Sequence, residues 1–171
     1  IPCGLKEGDT FELAGMTWTI LDIAEDGYKC IAERFEDGVV FDDYSNDWRT
    51  SSLRKYLNED FYNCLASEIG EDNIIPFERD LLSIDGQTEY ANCKDKVSLL
   101  TVDEYRKYRK LIPNTGYWWW LITPWSTPCN EYEKQVTVVS PSGDVDIDFC
   151  YGNYGVRPFC IFSSSIFESE D

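Results

Sequence analysis

This chain of 171 residues contains no histidine, so its capacity for chemistry rests on carboxylates and aromatic rings. Asp144, Asp146 and Asp148 alternate with Val145, Ile147 and Phe149. On a strand, that alternation puts three carboxylates on one face, about 7 Å apart. The simplest use of such a row is a solvated face. As a Ca²⁺ site it is poor, because that ion takes about six to eight oxygens in a cage that a flat strand face does not provide. The glycine and terminal glutamate of an EF-hand loop are missing as well. The row is also a negative stripe for a basic partner. The second group is aromatic. Trp118, Trp119 and Trp120 are consecutive, Trp125 follows, and Tyr117, Tyr132, Tyr151 and Tyr154 enrich the same region. Three successive tryptophans cannot all face one core, so at least one is partly exposed. Trp118, Trp125, Tyr132, Tyr151 and Tyr154 are the candidates for a sugar-stacking platform, although anchoring of core and loops is the commoner use of such rings.

The absence of histidine excludes a Ser-His-Asp triad, a Cys-His dyad, an HExxH zinc site and an imidazole base. Seven cysteines, at 3, 30, 64, 93, 129, 150 and 160, include no CxxC pair. A zinc knuckle or a thioredoxin-type redox site is therefore not expected, and the thiols read as reduced, mostly buried small hydrophobes. Neither a GxGxxG nor a Walker A motif occurs, no carboxylate pair stands out as acid and nucleophile of a glycosidase, and no cofactor is implied. No apolar run reaches the ~18 residues of a membrane span.

Acidic residues number 32 against 15 basic ones, for a net charge of −17. The excess runs through every part of the chain. Direct binding to a phosphate backbone is opposed by such a charge, whereas docking on a basic surface is favoured, with faster association and sensitivity to salt. Solubility alone asks for a charge of only about 2–8.

Elements that must position these groups follow from pattern. Thr10–Leu13 and Thr17–Ile23 read as a hairpin turning at Ala14-Gly15. Glu25-Asp26-Gly27 turns into a strand over 28–33, and Asp37-Gly38 turns into Val39-Val40-Phe41. Thr50, Ser51 and Ser52 are candidate N-caps for a helix whose apolar face carries Leu53, Tyr56, Leu57, Phe61 and Cys64. A mixed region runs to about residue 95, and Val97–Leu100 reads as a brief strand. Thr101 and Glu104 form a capping box, opening a helix that ends near Ile112. Arg106, Lys107, Arg109 and Lys110 in its last turns complement the helix dipole, which is their expected role. Strands follow over 117–123, 135–140, the Asp-alternating segment and 156–162. The expected class is α+β, with antiparallel sheets and two main helices, in a single domain over 1–171 with an acidic tail from about 163.

The order of motifs resembles a widespread domain-of-unknown-function family of gut Firmicutes and their phages. Its members read as W-x-x-S-x-L-R-x-W-L-N, then D-K-V-x-L-L-S-x-x-E, W-W-L-R-S-P and G-V-R-P. Here stand Gly8-Asp9-Thr10-Phe11, Trp18, Trp48, Ser51 or Ser52, Leu53-Arg54, Tyr56-Leu57-Asn58, Phe61-Tyr62, Asp95-Lys96-Val97, Leu99-Leu100-Thr101, Glu104, Trp119-Trp120-Leu121, Pro124 and Gly155-Val156-Arg157-Pro158. The W-W-L and G-V-R-P ends are similar to the closing strands of the C-type-lectin-like fold shared with formylglycine-generating enzymes, which implies a C-type-lectin-like closing half. Ile122-Thr123 replaces the family's Arg-Ser, and the catalytic cysteines of those enzymes have no counterpart. Gly155 is expected at a positive φ or a close approach, and Arg157 as a buried guanidinium bonding carbonyls or a carboxylate.

Together these readings favour a non-enzymatic acidic interaction protein of phage or mobile-element origin. It would block a basic nucleic-acid-binding protein, such as a nuclease, in a bacterial cytoplasm by polyanion mimicry, as an anti-CRISPR-type inhibitor does. Candidate contacts are Asp42, Asp43, Asp47, Glu131, Glu133, Asp144, Asp146 and Asp148. The alternative is a lectin-like module binding a receptor or glycan through the aromatic residues named above.

Overall fold

The fold is that of a computed structural model, which describes residues 1–33 and 38–168. Ala14 and Gly15 both take positive φ (54° and 74°), as a tight two-residue hairpin turn requires, and join β1 (Thr10–Leu13) to β2 (Met16–Ala24). Phe11 lies opposite Trp18 in this register. Gly27 opens β3 (Gly27–Ala32) at φ +144°, and a Cβ there would stand 2.6 Å from the Phe162 carbonyl oxygen. Only glycine lets the last strand, β11 (Phe159–Phe162), close against β3 at that point. The resulting sheet runs β1-β2-β3-β11, all antiparallel.

Both faces of this sheet are covered. Trp18, Ile20, Cys30, Cys160 and Phe162 enter one apolar cluster, while Leu21, Ile31 and Phe159 enter another. A register shift between Ile20 and Asp22 lets adjacent Ile20 and Leu21 serve the two clusters. Burial on both sides explains why Phe159–Phe162 is apolar throughout rather than alternating. The same holds for β7 (Trp119–Pro124): Trp119 and Leu121 enter the second cluster, Trp120 and Ile122 the first. Both central tryptophans are therefore core, and Trp118 is the one left 37% exposed. A second sheet, β7-β8-β9, adds β8 (Gln135–Val139) and the edge strand β9 (Val145–Phe149).

Two short ribbons complete the strands. β4 (Val39–Val40) pairs with β10 (Asn153–Tyr154), and β5 (Phe77–Asp80) with β6 (Asn92–Asp95). The β5–β6 ribbon lies where the sequence shows only a mixed region. Val97–Leu100, expected as a strand, makes a single bridge from Ser98 to Phe159. The expected turn at Asp37-Gly38 lies partly outside the described residues; Gly38 itself has φ 69°.

Ser51 caps the first helix by accepting from the Arg54 N–H at 3.1 Å. α1 (Ser52–Tyr56) passes through a π turn over Leu57–Phe61 into α2 (Tyr62–Ile69). The π turn advances the apolar row by one residue, so Leu53, Leu57, Phe61, Tyr62 and Leu65 are buried. Cys64, expected on that face, is exposed for the same reason, and Tyr56, which precedes the π turn, is exposed as well. α3 (Val102–Tyr108) starts with the expected capping box of Thr101 and Glu104. Of the four cations expected at its end, Arg109, just past α3, donates to the Ile112 carbonyl and to Asn114 Oδ1. The architecture is α+β with antiparallel sheets and two main helical segments. No helix among the described residues is long and apolar enough to cross a membrane.

Two further expectations, on the cysteines and on the tail, are corrected. All seven cysteines are free thiols, yet only Cys30, Cys150 and Cys160 are buried. The tail begins later than 163, because Ser164–Phe167 form a 3-10 turn that packs Phe167 onto Phe11 and Tyr28. Gly155 exchanges backbone hydrogen bonds with Trp118 and Trp120. Arg157 is buried, donates from Nε to the Ala32 carbonyl and lies over the Trp119 ring at 5.0 Å. Burial lowers its pKa, and its Nη1 has no hydrogen-bond partner among the described residues. Ile122 and Thr123, standing for Arg-Ser, are both buried, and Thr123 Oγ1 accepts from the Val102 N–H.

Arg79 on β5 is 3% exposed, and each of its three guanidinium nitrogens donates to a nearby group. It bonds Ser98 Oγ, the Leu99 carbonyl and both oxygens of Glu104 at 2.5 and 2.9 Å. Burial works to raise the Glu104 carboxyl, but the Arg79 contacts and the Thr101 N–H carry it below the ordinary glutamate value of 4.5. Its contribution to stability is thus complete above about pH 4.5 and disappears as pH falls through the lower folded value. Glu104→Gln leaves a buried guanidinium without its counter-charge. We expect a loss of about 3 kcal/mol at neutral pH in urea unfolding, and a shallower acid limb than the wild type.

Candidate interaction surface

The loop 42–47 follows Phe41, which is fully buried and fixes its root. Asp42 accepts from the N–H groups of Tyr44 at 3.0 Å, Ser45 at 2.9 Å and Ser52 at 3.1 Å. That carboxylate closes the loop and ties it to α1. Tyr44 is thereby held at the loop apex, 77% exposed. Asp47 caps the 3-10 turn Trp48–Thr50 and grips the Arg49 guanidinium through both oxygens, at 3.0 and 2.9 Å. Two expected partner contacts, Asp42 and Asp47, are thus structural. Asp43 remains exposed.

Asn46 is completely buried and joins three loops. Its Nδ2 donates to the carbonyls of Ser126 (2.9 Å), Tyr132 (3.2 Å) and Gln135 (2.9 Å), so its two hydrogens serve three acceptors. Its Oδ1 accepts from the Tyr90 hydroxyl at 2.5 Å, and its backbone N–H donates to the Glu133 carbonyl. Lys134 Nζ reaches the Tyr44 carbonyl at 2.6 Å. Burial, with the charges of Asp47, Glu89 and Glu133 around it, pushes Tyr90 up to about 12 despite a Ser45 hydrogen bond. The loops holding Asp43 and Tyr44, Glu89 and Tyr90, and Glu131 to Glu133 therefore meet. Glu131 sits in the left-handed region (φ 63°), and it, Tyr132 and Glu133 are exposed.

Beside this hub lies a cleft of about 270 Å³ lined by Ile84, Asp85, Trp125, Ser126, Asn130 and Tyr132. Trp125 is 39% and Tyr132 50% exposed. Asp85 accepts from Ser83 Oγ, from Ser126 Oγ at 2.7 Å and from Asn130 Nδ2 at 2.9 Å. Those bonds hold its carboxyl below the usual range. Glu89 is held low as well, by Thr127 foremost and by the Cys129 N–H.

The row on β9 does not present three free carboxylates. Asp144 precedes the strand, in the turn that closes on Ser140. Asp146 and Asp148 share a face with Val138 and Val136. Asp148 accepts from the Tyr154 hydroxyl, which burial and that carboxylate push up to about 12. Tyr154 in turn packs edge-on to Trp120 and beside Trp118. Tyr151 stacks on Phe149 with ring centroids 5.1 Å apart. Trp118, Tyr151 and Tyr154 therefore belong to the surroundings of β9, while Trp125 and Tyr132 line the cleft. Among the described residues no three carboxylate or thiol side chains converge as ligands of one metal ion.

Sequence reasoning did not single out Asn46, Asp85, Glu89, Tyr90 or Asn130. The partners of Asn46 lie as far as 89 residues away in sequence, so no local pattern marks it. Residues 85–164 match a family model described as a domain of unknown function, DUF6273, so the match begins at the cleft aspartate and ends just past β11. No curated protein and no solved structure matches the chain.

Asn46→Ala leaves three carbonyls and a tyrosine hydroxyl in need of water. We expect a cost of about 3 kcal/mol. Hydrogen exchange should also rise over 126–135 well before it rises in β2 and β3, as a mass-spectrometric map would show.

Proposed function

We propose that this chain is a non-catalytic interaction protein that docks its loop end on a basic surface of a nucleic-acid-binding protein. One observation carries the reading. Exposed Tyr44, Trp125 and Tyr132 stand among Asp43, Glu89, Glu131 and Glu133 on loops gathered by one buried amide. Aromatic anchors with a charged rim are the usual anatomy of a protein-binding hot spot. The net charge of −17 adds long-range attraction to a cationic partner. A nuclease whose substrate groove is basic has the required chemistry, and occupation of that groove would block it. Origin in a phage or mobile element and action in a bacterial cytoplasm, in the manner of an anti-CRISPR inhibitor, are the setting we propose.

A second reading has its own support. Trp125 and Tyr132 flank Asp85 and Asn130 in one cleft, and ring faces beside an oriented carboxylate and amide suit a sugar. The resemblance of the closing strands to lectin-like folds agrees with it.

The test uses purified basic nucleases and a glycan array, with the wild type, the double variant Glu131→Lys/Glu133→Lys and Trp125→Ala. For the docking reading we expect nuclease binding that weakens with salt, is displaced by DNA, and falls at least about tenfold in the double variant, equivalent to ~1.4 kcal/mol. Nuclease binding unchanged in that variant would overturn it. Sugar binding that resists salt and is lost in Trp125→Ala would transfer the assignment to the cleft.

A further inference from the structure

The surface of this acidic protein is not uniformly negative. Arg49, Arg54, Lys55, Lys94 and Lys96 line one open cleft of about 500 Å³, with Glu59 the carboxylate among its walls. A third of the 15 cations in the chain thus face one small volume.

The arrangement is built. Asp95, whose side chain is wholly buried, accepts from Trp48 Nε1 at 2.7 Å and Arg54 Nε at 2.6 Å. Arg54 also donates to the carbonyls of Arg49 and Lys94. Asn58 bonds the carbonyls of Arg54 and Val97 and accepts from the N–H groups of Lys96 and Val97. These bonds clamp α1 to the end of β6. Because Asp95 points inward, its neighbours Lys94 and Lys96 point out, onto the cleft. Lys96 Nζ stands 4.3 Å from the centre of the Tyr62 ring. Two of the five cations are already balanced, Arg49 by Asp47 and Arg54 by Asp95. Among the described residues no carboxylate pairs with Lys55, Lys94 or Lys96.

We propose that this cleft binds a small anion bearing several phosphoryl groups. Three ammonium groups from two elements, in a volume typical of small-ligand sites, match a compact multiply charged anion. Every residue lining the cleft is polar or charged, so the charged part of the ligand carries the recognition. A long nucleic acid would meet the acidic surface beyond the cleft, whereas a small anion would not. A free polyphosphate and a nucleotide share this chemistry.

The experiment is isothermal titration with inorganic tripolyphosphate, ATP and an oligoglutamate peptide, at ionic strength held constant with chloride. The proteins are the wild type, Lys94→Gln/Lys96→Gln, Lys55→Gln and Glu131→Lys/Glu133→Lys. We expect saturable binding of tripolyphosphate by the wild type, weakened at least about tenfold in the Lys94/Lys96 variant and severalfold in Lys55→Gln. It should be undiminished in the loop-end variant. ATP binding tighter than tripolyphosphate would support the proposal with a nucleotide as the source; equal or weaker ATP binding would support it with the phosphate chain alone. Unsaturable binding, equal binding by the wild type and the Lys94/Lys96 variant, or tighter binding of oligoglutamate would overturn it. The substituted lysines are exposed, so the variants should fold, and their thermal melts check this.

Discussion

A primary amide cut off from solvent must find its hydrogen bonds in the protein, and Asn46 finds them on two other segments, the β7–β8 connection and the β5–β6 loop, so that three loops including its own are joined. Leaving a buried polar group unpaired costs about 1–3 kcal/mol each time, so the loops cannot separate without exposing that cost. Everything exposed at this end depends on the constraint. Tyr44 stands at an apex because Asp42 closes its loop from within and Asn46 holds it from below. Tyr132 is displayed because its own carbonyl is pulled inward. The backbone that carries these exposed side chains is held by bonds that lie beneath it. Less backbone entropy then remains to be lost on binding, which is the physical content of preorganisation.

The acidity of the chain divides into two populations. Asp42, Asp47, Asp95 and Glu104 are consumed by N–H groups, an indole or a guanidinium, and they hold the backbone in place. Asp43, Glu131, Glu133, Asp144 and Asp146 remain in solvent. A count of charges treats these as equal, although only the second group generates a field that a partner feels unscreened by an internal cation. The cations divide in the same way: Arg54 and Arg79 are internal braces, whereas Lys55, Lys94 and Lys96 remain available.

Much of the fold is legible in the sequence because its signals are local. The Ala14-Gly15 turn, the Thr101–Glu104 capping box and the Ser51 cap each need only a few neighbouring residues. The α+β class follows from such signals in order. What is not legible depends on burial from two sides or on distant pairing. Cys64 leaves the apolar face because a π turn, set by packing, shifts the helical row. The β5–β6 ribbon is mostly polar, and its Arg79 is buried against Glu104, 25 residues further on. For the site, Trp125, Tyr132, Glu131 and Glu133 are recognisable by type. Asp42 and Asp47 look the same in sequence as Asp43, and only their partners show them to be structural.

The basic cleft and the acidic loop end share a border at the Asp47–Arg49 pair. Asp47 follows Asn46 in the loop, and Arg49 lines the cleft. One bidentate ion pair therefore separates two regions of opposite sign, and it is half shielded, with Asp47 at 10% and Arg49 at 37% side-chain exposure. Opposite fields this close steepen the potential between them. On the proposed docking, a cationic partner would be drawn toward Glu131 and Glu133 and turned away from Lys94 and Lys96, while a small anion would experience the reverse. Its orientation would then be set by repulsion from the cleft as well as by attraction to the loop end, and specificity commonly requires both.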